Sequence, residues 1–176
     1  MSSISKNISL FLFLGCLSFL VIFFHCNPFA PAFDTENISS ASLTGDQKTI
    51  EGVFQNFKYA YVFRDTVLYG KLLADEFTFS YRDYERGVDI TWGRDEDMQI
   101  TNRFFQNSQS LDLIWNNIFS ISGDSTILNV IRFFNLSITF NPSDIIRLDG
   151  KVNLTLYRKK SDEVWQIQYW RDESNF

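Results

Sequence analysis

From Gln47 to Phe63 the apolar residues recur at helical spacing. Ile50, Val53, Phe54, Phe57, Ala60 and Tyr61 share one stripe, while Lys48, Glu51, Gln55, Asn56 and Lys58 face away. Asp46 stands where an N-cap is wanted. Gly52 lies inside the pattern, where glycine costs about 1 kcal/mol against alanine, so it marks a point of close packing. Arg64-Asp65-Thr66 breaks the run, and Asp65 or Thr66 caps a shorter helix through Leu73, apolar at Leu68, Leu72 and Leu73. The period then drops to two in Glu76–Tyr81, where Phe77, Phe79 and Tyr81 alternate with Thr78 and Ser80. A polar stretch, RDYERGVDITWG, holds only isolated apolar residues before helical spacing returns over Asp95–Phe105, with Met98, Thr101, Phe104 and Phe105 as its stripe. Asp95, Glu96 and Asp97 in its first turn suit the positive end of the helix dipole, and capping accounts for them without a metal.

The remainder reads as strand and turn. Leu111, Leu113 and Trp115 alternate with Asp112 and Ile114, and Gly123-Asp124 turns the chain. Thr126–Phe140 is a long extended run, expected to be bent or bulged because large apolar residues fall on both faces near Phe133-Phe134. Val152, Leu154 and Leu156 alternate next. The closing strand, Val164–Asp172, puts Trp165 on one face and Trp170 on the other. Short connections between the last four strands predict antiparallel neighbours. Helices segregated from an antiparallel sheet make this an α+β layer plan.

Hydrophobicity also separates the N-terminus from this domain. Ile8 to Phe24 is almost unbroken apolar after Lys6, which is the grammar of a signal peptide or a single membrane anchor over residues 1–25. Residues 26–45 form a linker rich in Pro, Ser and Thr, and 46–173 the domain. Both cysteines, Cys16 and Cys26, lie in or at the end of the apolar segment, so the domain has neither a disulfide framework nor a cysteine-based metal site. A cysteine ending such a run suggests lipidation. Cys26, which leaves a natural spacer behind it, is favoured over Cys16. These features predict a body outside the cytoplasmic membrane, held there by the segment or its lipid. A net charge of −5 argues against nucleic acid as a partner. The basic run Arg158-Lys159-Lys160 fits a hairpin turn.

The order of elements over Gln47 to Asp172 resembles the nuclear transport factor 2-like superfamily, also called SnoaL-like. The likeness is carried by the break at Arg64-Asp65 before Leu72-Leu73-Ala74-Asp75-Glu76-Phe77, by the Trp92 segment leading into the third helix, and by the closing Trp165…Trp170-Arg171-Asp172. Cys26-Asn27-Pro28-Phe29-Ala30-Pro31 is similar to the start of small bacterial lipoproteins that carry such domains, which implies the cell envelope of a bacterium. The resemblance implies a cone-shaped roll, a strongly curved antiparallel sheet wrapped around the first helix, with homodimers forming through the sheet face. Enzymes of the superfamily place carboxylates, tyrosines or histidines in the cone. His25, the chain's one histidine, lies in the N-terminal segment, so no His–Asp pair is available to the domain.

Candidate pocket-lining residues are Tyr59, Tyr61, Asp75, Tyr81, Trp92 and Trp165, Asp75 being the acid that Tyr59 or Tyr81 could approach as donors. No glycine-rich phosphate loop, CxxC or HExxH occurs, so neither a cofactor nor a metal is expected. A sound scaffold without a recognisable catalytic set points to a non-enzymatic, envelope-anchored domain that binds a small apolar ligand or a protein. The alternative is a cofactor-independent isomerase or hydrolyase acting on an apolar substrate. A buried acid within hydrogen-bond reach of a donor separates the two.

Overall fold

The computed structural model describes residues 44–174. The expected signal segment, the two cysteines and most of the linker lie outside the described residues. Helix α1 spans Ile50–Val62, α2 Thr66–Leu72 and α3 Arg94–Asn107. The strands are β1 Leu73–Asp83, β2 Val88–Gly93, β3 Ser110–Gly123, β4 Ile127–Asn141, β5 Asp144–Tyr157 and β6 Gln166–Ser174.

The N-cap of α1 is Thr49, whose side chain accepts from the Gly52 amide; Asp46, the expected cap, instead accepts from Thr49 through its carbonyl. Asp46 sits so close over Gly52 that a Cβ there would strike its backbone, which is why glycine stands inside the helix. The break after α1 is a Schellman turn. The Asp65 amide donates to Ala60 at 2.8 Å and the Arg64 amide to Tyr61 at 3.0 Å, with Arg64 in the left-handed position at φ 54°. Glycine is the usual residue there; here the Arg64 guanidinium donates to the Ser108 carbonyl at 2.7 Å, tying the turn to the end of α3. Asp65 then caps α2 through the amides of Val67 and Leu68.

The six strands form one sheet in the order β2-β1-β6-β5-β4-β3. β2 and β3 are its two edges, so the sheet does not close on itself. This corrects the expected cone-shaped roll: the sheet is open and not strongly curved. It is also mixed rather than antiparallel, because β1 and β6 run parallel. The argument from short connections holds only for strands adjacent in the chain. β1 and β6 are joined by everything between them, so no hairpin dictates their direction. A further difference is β2, taken from the sequence as polar connection. It pairs with β1 and lies largely exposed at the edge, so it never needed an apolar alternation.

One face of the sheet holds the core. Leu113, Val130, Leu136, Val152, Leu154 and Ile167 pack there against Val53, Phe54 and Phe57 of α1. Phe119 and Phe133 remain exposed beyond it, edge to face at 5.7 Å. Local irregularities decide what reaches the core side. The long run expected to be bulged does carry an extra residue, on β4 between Thr139 and Asn141 rather than near Phe133-Phe134, and its partner β3 is bulged between Trp115 and Ser120. On β6 an extra residue falls between Ile167, opposite Leu156, and Tyr169, opposite Thr155. Ile167, Trp170 and Asp172 therefore face the same way as Leu156, Leu154 and Val152, their partners across the ladder. Trp165, 3% exposed, and Trp170 both pack with the core, contrary to the opposite faces that strict alternation predicts.

Candidate functional site

A cavity of about 410 Å³ opens between the sheet face and the helices, a size that suits a small organic ligand. Its walls are mostly aromatic and aliphatic. A row across three strands, Trp92 of β2, Phe79 of β1 and Trp170 of β6, forms one side, with Phe79 stacked on Trp92 at 4.4 Å and edge-on to Trp170 at 5.0 Å. Trp115 stands on the β3 side, held by its indole N–H to the Phe54 carbonyl at 2.8 Å. Phe57 and Tyr61 of α1 stack at 4.8 Å and line another wall.

Into this apolar lining α3 places a carboxylate. Asp97 is 3% exposed. Its Oδ2 accepts from the Tyr69 hydroxyl at 2.7 Å and its Oδ1 from the Trp92 indole N–H at 2.9 Å. The local sequence makes this arrangement compact. Trp92 ends β2, Gly93 caps α3, and the first turn brings Asp97 back over the indole, with Thr101 one turn further on the same face. Tyr69 comes from α2 and is fully buried. Asp172 of β6 is the second carboxylate on the cavity lining.

Burial pushes the Asp97 carboxyl above its ordinary 3.8, against the lowering effect of the Trp92 and Tyr69 hydrogen bonds. Tyr61 is raised far above the usual phenol range, first by burial and then by the charges of Asp97 and Asp172. Tyr69 is raised as well, chiefly by burial, so both hydroxyls stay protonated and able to donate. The sign for stability follows. An acid with a raised folded pKa binds its proton more tightly when folded, so this contribution to stability is complete below 3.8 and is lost as pH rises through the folded value. The melting temperature of the native chain relative to Asp97→Asn should therefore be greatest at the acid side of that window and decline from about pH 4 toward 7. Parallel melting curves for the two proteins over that range would contradict it.

The structure disperses the six residues picked from the sequence. Tyr61 and Trp92 line the cavity. Tyr59 lies on another side of α1, hydrogen-bonded by Gln55 at 3.2 Å and packed on Phe63. Asp75 is exposed on β1 and borders a separate surface depression with Lys71 and Arg94. Tyr81 packs edge-on against Trp92, and Trp165 is buried with Arg158 at 4.0 Å over its ring. The acid that the sequence reading passed over is Asp97. Its signal was its phase: it lies four residues before Thr101 and seven before Phe104, on the buried stripe rather than beside it. Arg171 reaches Asp89 at 3.5 Å on the surface. Among the described residues no group of three or more His, Cys, Asp and Glu side chains is placed to hold a metal ion.

No family model and no curated protein matches the sequence. Solved structures do match the fold. A conserved protein from Planctomyces limnophilus superposes with a TM-score of 0.63 at 13% identity, covering 77% of this chain and 97% of its own. A candidate dehydratase of the NTF2-like family from Streptomyces avermitilis gives 0.58 at 13%, covering 74% and 97%. The fold is NTF2-like. A candidate scytalone dehydratase from Novosphingobium aromaticivorans shares it at a TM-score of 0.62 and 16% identity, over 72% of this chain and 82% of that one. At these identities the likeness carries the NTF2-like architecture, and the chemistry has to be argued from the cavity.

Proposed function

We propose that the domain is a cofactor-independent isomerase or hydrolyase acting on a small, largely apolar substrate, with Asp97 as the group that moves the proton. The observation that carries this reading is a buried carboxylate, fixed by two donors, on the wall of an otherwise apolar cavity. A carboxylate in water is a weak base for a carbon-bound proton; desolvation raises its basicity toward neutral pH. Both Asp97 oxygens keep a lone pair beyond the bonds from Tyr69 and Trp92, so one can take a proton from carbon beside a substrate carbonyl. Tyr61 is suited to donate to the oxyanion that forms, since burial and the neighbouring carboxylates keep its hydroxyl protonated. Return of the proton to another carbon completes an isomerisation. Loss of a neighbouring hydroxyl, with the proton held by Asp97 delivered to it, releases water. Two of the structural neighbours are named as candidate dehydratases, which agrees with the second outcome.

A non-enzymatic role is the weaker reading, because an apolar ligand can be held without an acid on the wall, whereas proton transfer needs one whose basicity burial has raised. The test needs no knowledge of the natural substrate. Small apolar ketones are incubated with the full chain in D₂O, and exchange of the hydrogens beside the carbonyl is followed by NMR. Catalysed exchange above the buffer rate is expected for at least one ketone that fits the cavity. Binding of such ketones with no catalysed exchange would leave the carrier reading standing instead.

A further inference from the structure

We infer that Met98 is a positioning residue: it holds α2 at the place where Tyr69 meets Asp97. Oxidation of its thioether to the sulfoxide breaks that pairing and slows proton transfer. The slowing rests on the reading of Asp97 as the group that moves the proton; the positioning does not.

Two neighbouring contacts between α2 and α3 carry the inference. Tyr69 donates to Asp97 at 2.7 Å, and the residues that follow each of them in the chain, Gly70 and Met98, also meet. A Cβ on Gly70 would lie 3.0 Å from the Met98 methyl carbon and 3.3 Å from its sulfur, so the thioether rests against bare helix backbone. Glycine is a poor helix former, and at this buried position it makes room for the contact. Arg94 reaches the same residue, its Nη2 donating to the Gly70 carbonyl at 3.0 Å. Arg94, Asp97 and Met98 belong to the start of α3, which thus grips α2 at Tyr69 and Gly70 by packing and by hydrogen bonds. At seven residues α2 is too short to hold its place without such contacts. A shift at Gly70 therefore lengthens the bond from Tyr69.

The sulfur is open to chemistry from the other side. Met98 is half-buried and borders the surface depression that Lys71, Arg94 and Gln166 also line, so a small oxidant reaches it without entering the cavity. With hydrogen peroxide, a sulfur lone pair attacks one oxygen, the O–O bond breaks and an S–O bond forms. The hydroxide released takes the proton from the transferred hydroxyl and leaves as water; the sulfur is oxidised and the peroxide reduced. The product carries a polar oxygen where an apolar group was packed on backbone. That oxygen is an acceptor, and Arg94 supplies a donor for it. Arg94 Nη2 lies 3.7 Å from the same Cβ position on Gly70, and the buried Nε–H of that guanidinium meets no acceptor among the described residues. Turning toward Arg94 takes the oxidised group off Gly70 and changes the spacing of the two helices.

The chain's other methionine is Met1, so oxygen uptake at Met98 can be read by peptide mass. The full chain is treated with hydrogen peroxide, and the Asp97 carboxyl is titrated by carbon-13 NMR before and after, alongside catalysed hydrogen exchange. Met98 is expected to take up oxygen, and the Asp97 midpoint to rise as the bond from Tyr69 is lost. Exchange should fall about tenfold, toward the rate of Tyr69→Phe. Methionine sulfoxide reductase should restore both. Met98→Leu keeps an apolar side chain of similar volume, and peroxide should change neither its midpoint nor its exchange; the same variant subtracts any effect at Cys16, Cys26 or Met1. A native chain that resists oxidation at Met98, or that is oxidised there and keeps its Asp97 midpoint, would overturn the inference whether or not the variant folds. A midpoint that rises in a chain with no catalysed exchange to lose would support the positioning role and count against proton transfer by Asp97.

Discussion

Asp97→Asn should reduce catalysed hydrogen exchange by roughly 10²- to 10⁴-fold while the domain remains folded. The substitution keeps the size of the side chain and removes its basicity. Its effect on stability comes from the two donors. The Asn carbonyl can accept from the Trp92 indole while its amide donates to the Tyr69 oxygen, but the Tyr69 proton then loses its acceptor, and an unmet buried hydrogen bond costs about 1–3 kcal/mol. A lower melting temperature with the same cooperative transition is therefore expected, alongside the loss of exchange. Tyr69→Phe separates the two effects. It leaves the carboxylate in place with Trp92 alone, so exchange should persist at a reduced rate. An Asn variant that retains the native rate would remove Asp97 from the chemistry. A Tyr69→Phe loss as deep as that of Asp97→Asn would assign the base role elsewhere.

Deleting residues from Val164 onward should abolish cooperative folding rather than trim the domain. The last strand in the chain lies inside the sheet, between β5 and β1, so its removal leaves β1 and β2 unpaired from the other three strands. It also strips out Trp165 and Ile167, 3% and 0% exposed. Each such side chain contributes about 1.5–3 kcal/mol by burial alone, against a total stability of roughly 5–15 kcal/mol for an ordinary domain. Two newly exposed strand edges would add an aggregation hazard. Circular dichroism should show no sharp melt for the truncated chain. A two-state melt within a few degrees of the native one would mean that β6 is peripheral.

The elements that alternate cleanly were legible in the sequence, and those set by distant partners were not. α1 could be read from its stripe because nearly a full face of it is buried, and the Arg64-Asp65 break because its capping chemistry is local. β2 escaped because an exposed edge strand needs no apolar period. The extra residue in β6 has no local signature, yet it turns Trp170 and Asp172 toward the cavity and so decides part of the site. Asp97 was hidden for a different reason. An acid in the first turn of a helix already has a sufficient electrostatic explanation, and only the presence of Tyr69 and Trp92 above it shows that this one is buried. The cone-shaped sheet was carried over from the resemblance rather than from these residues, and the open edges at β2 and β3 correct it.

The central claim is that a desolvated carboxylate faces the ligand cavity. Carbon-13 NMR of the chain labelled at its aspartate carboxyls, assigned with Asp97→Asn, tests this most directly. The Asp97 signal should titrate above its ordinary 3.8, and its midpoint should move when a small apolar ketone fills the cavity. A midpoint at or below the ordinary value, unchanged by any bound ligand, would contradict the account.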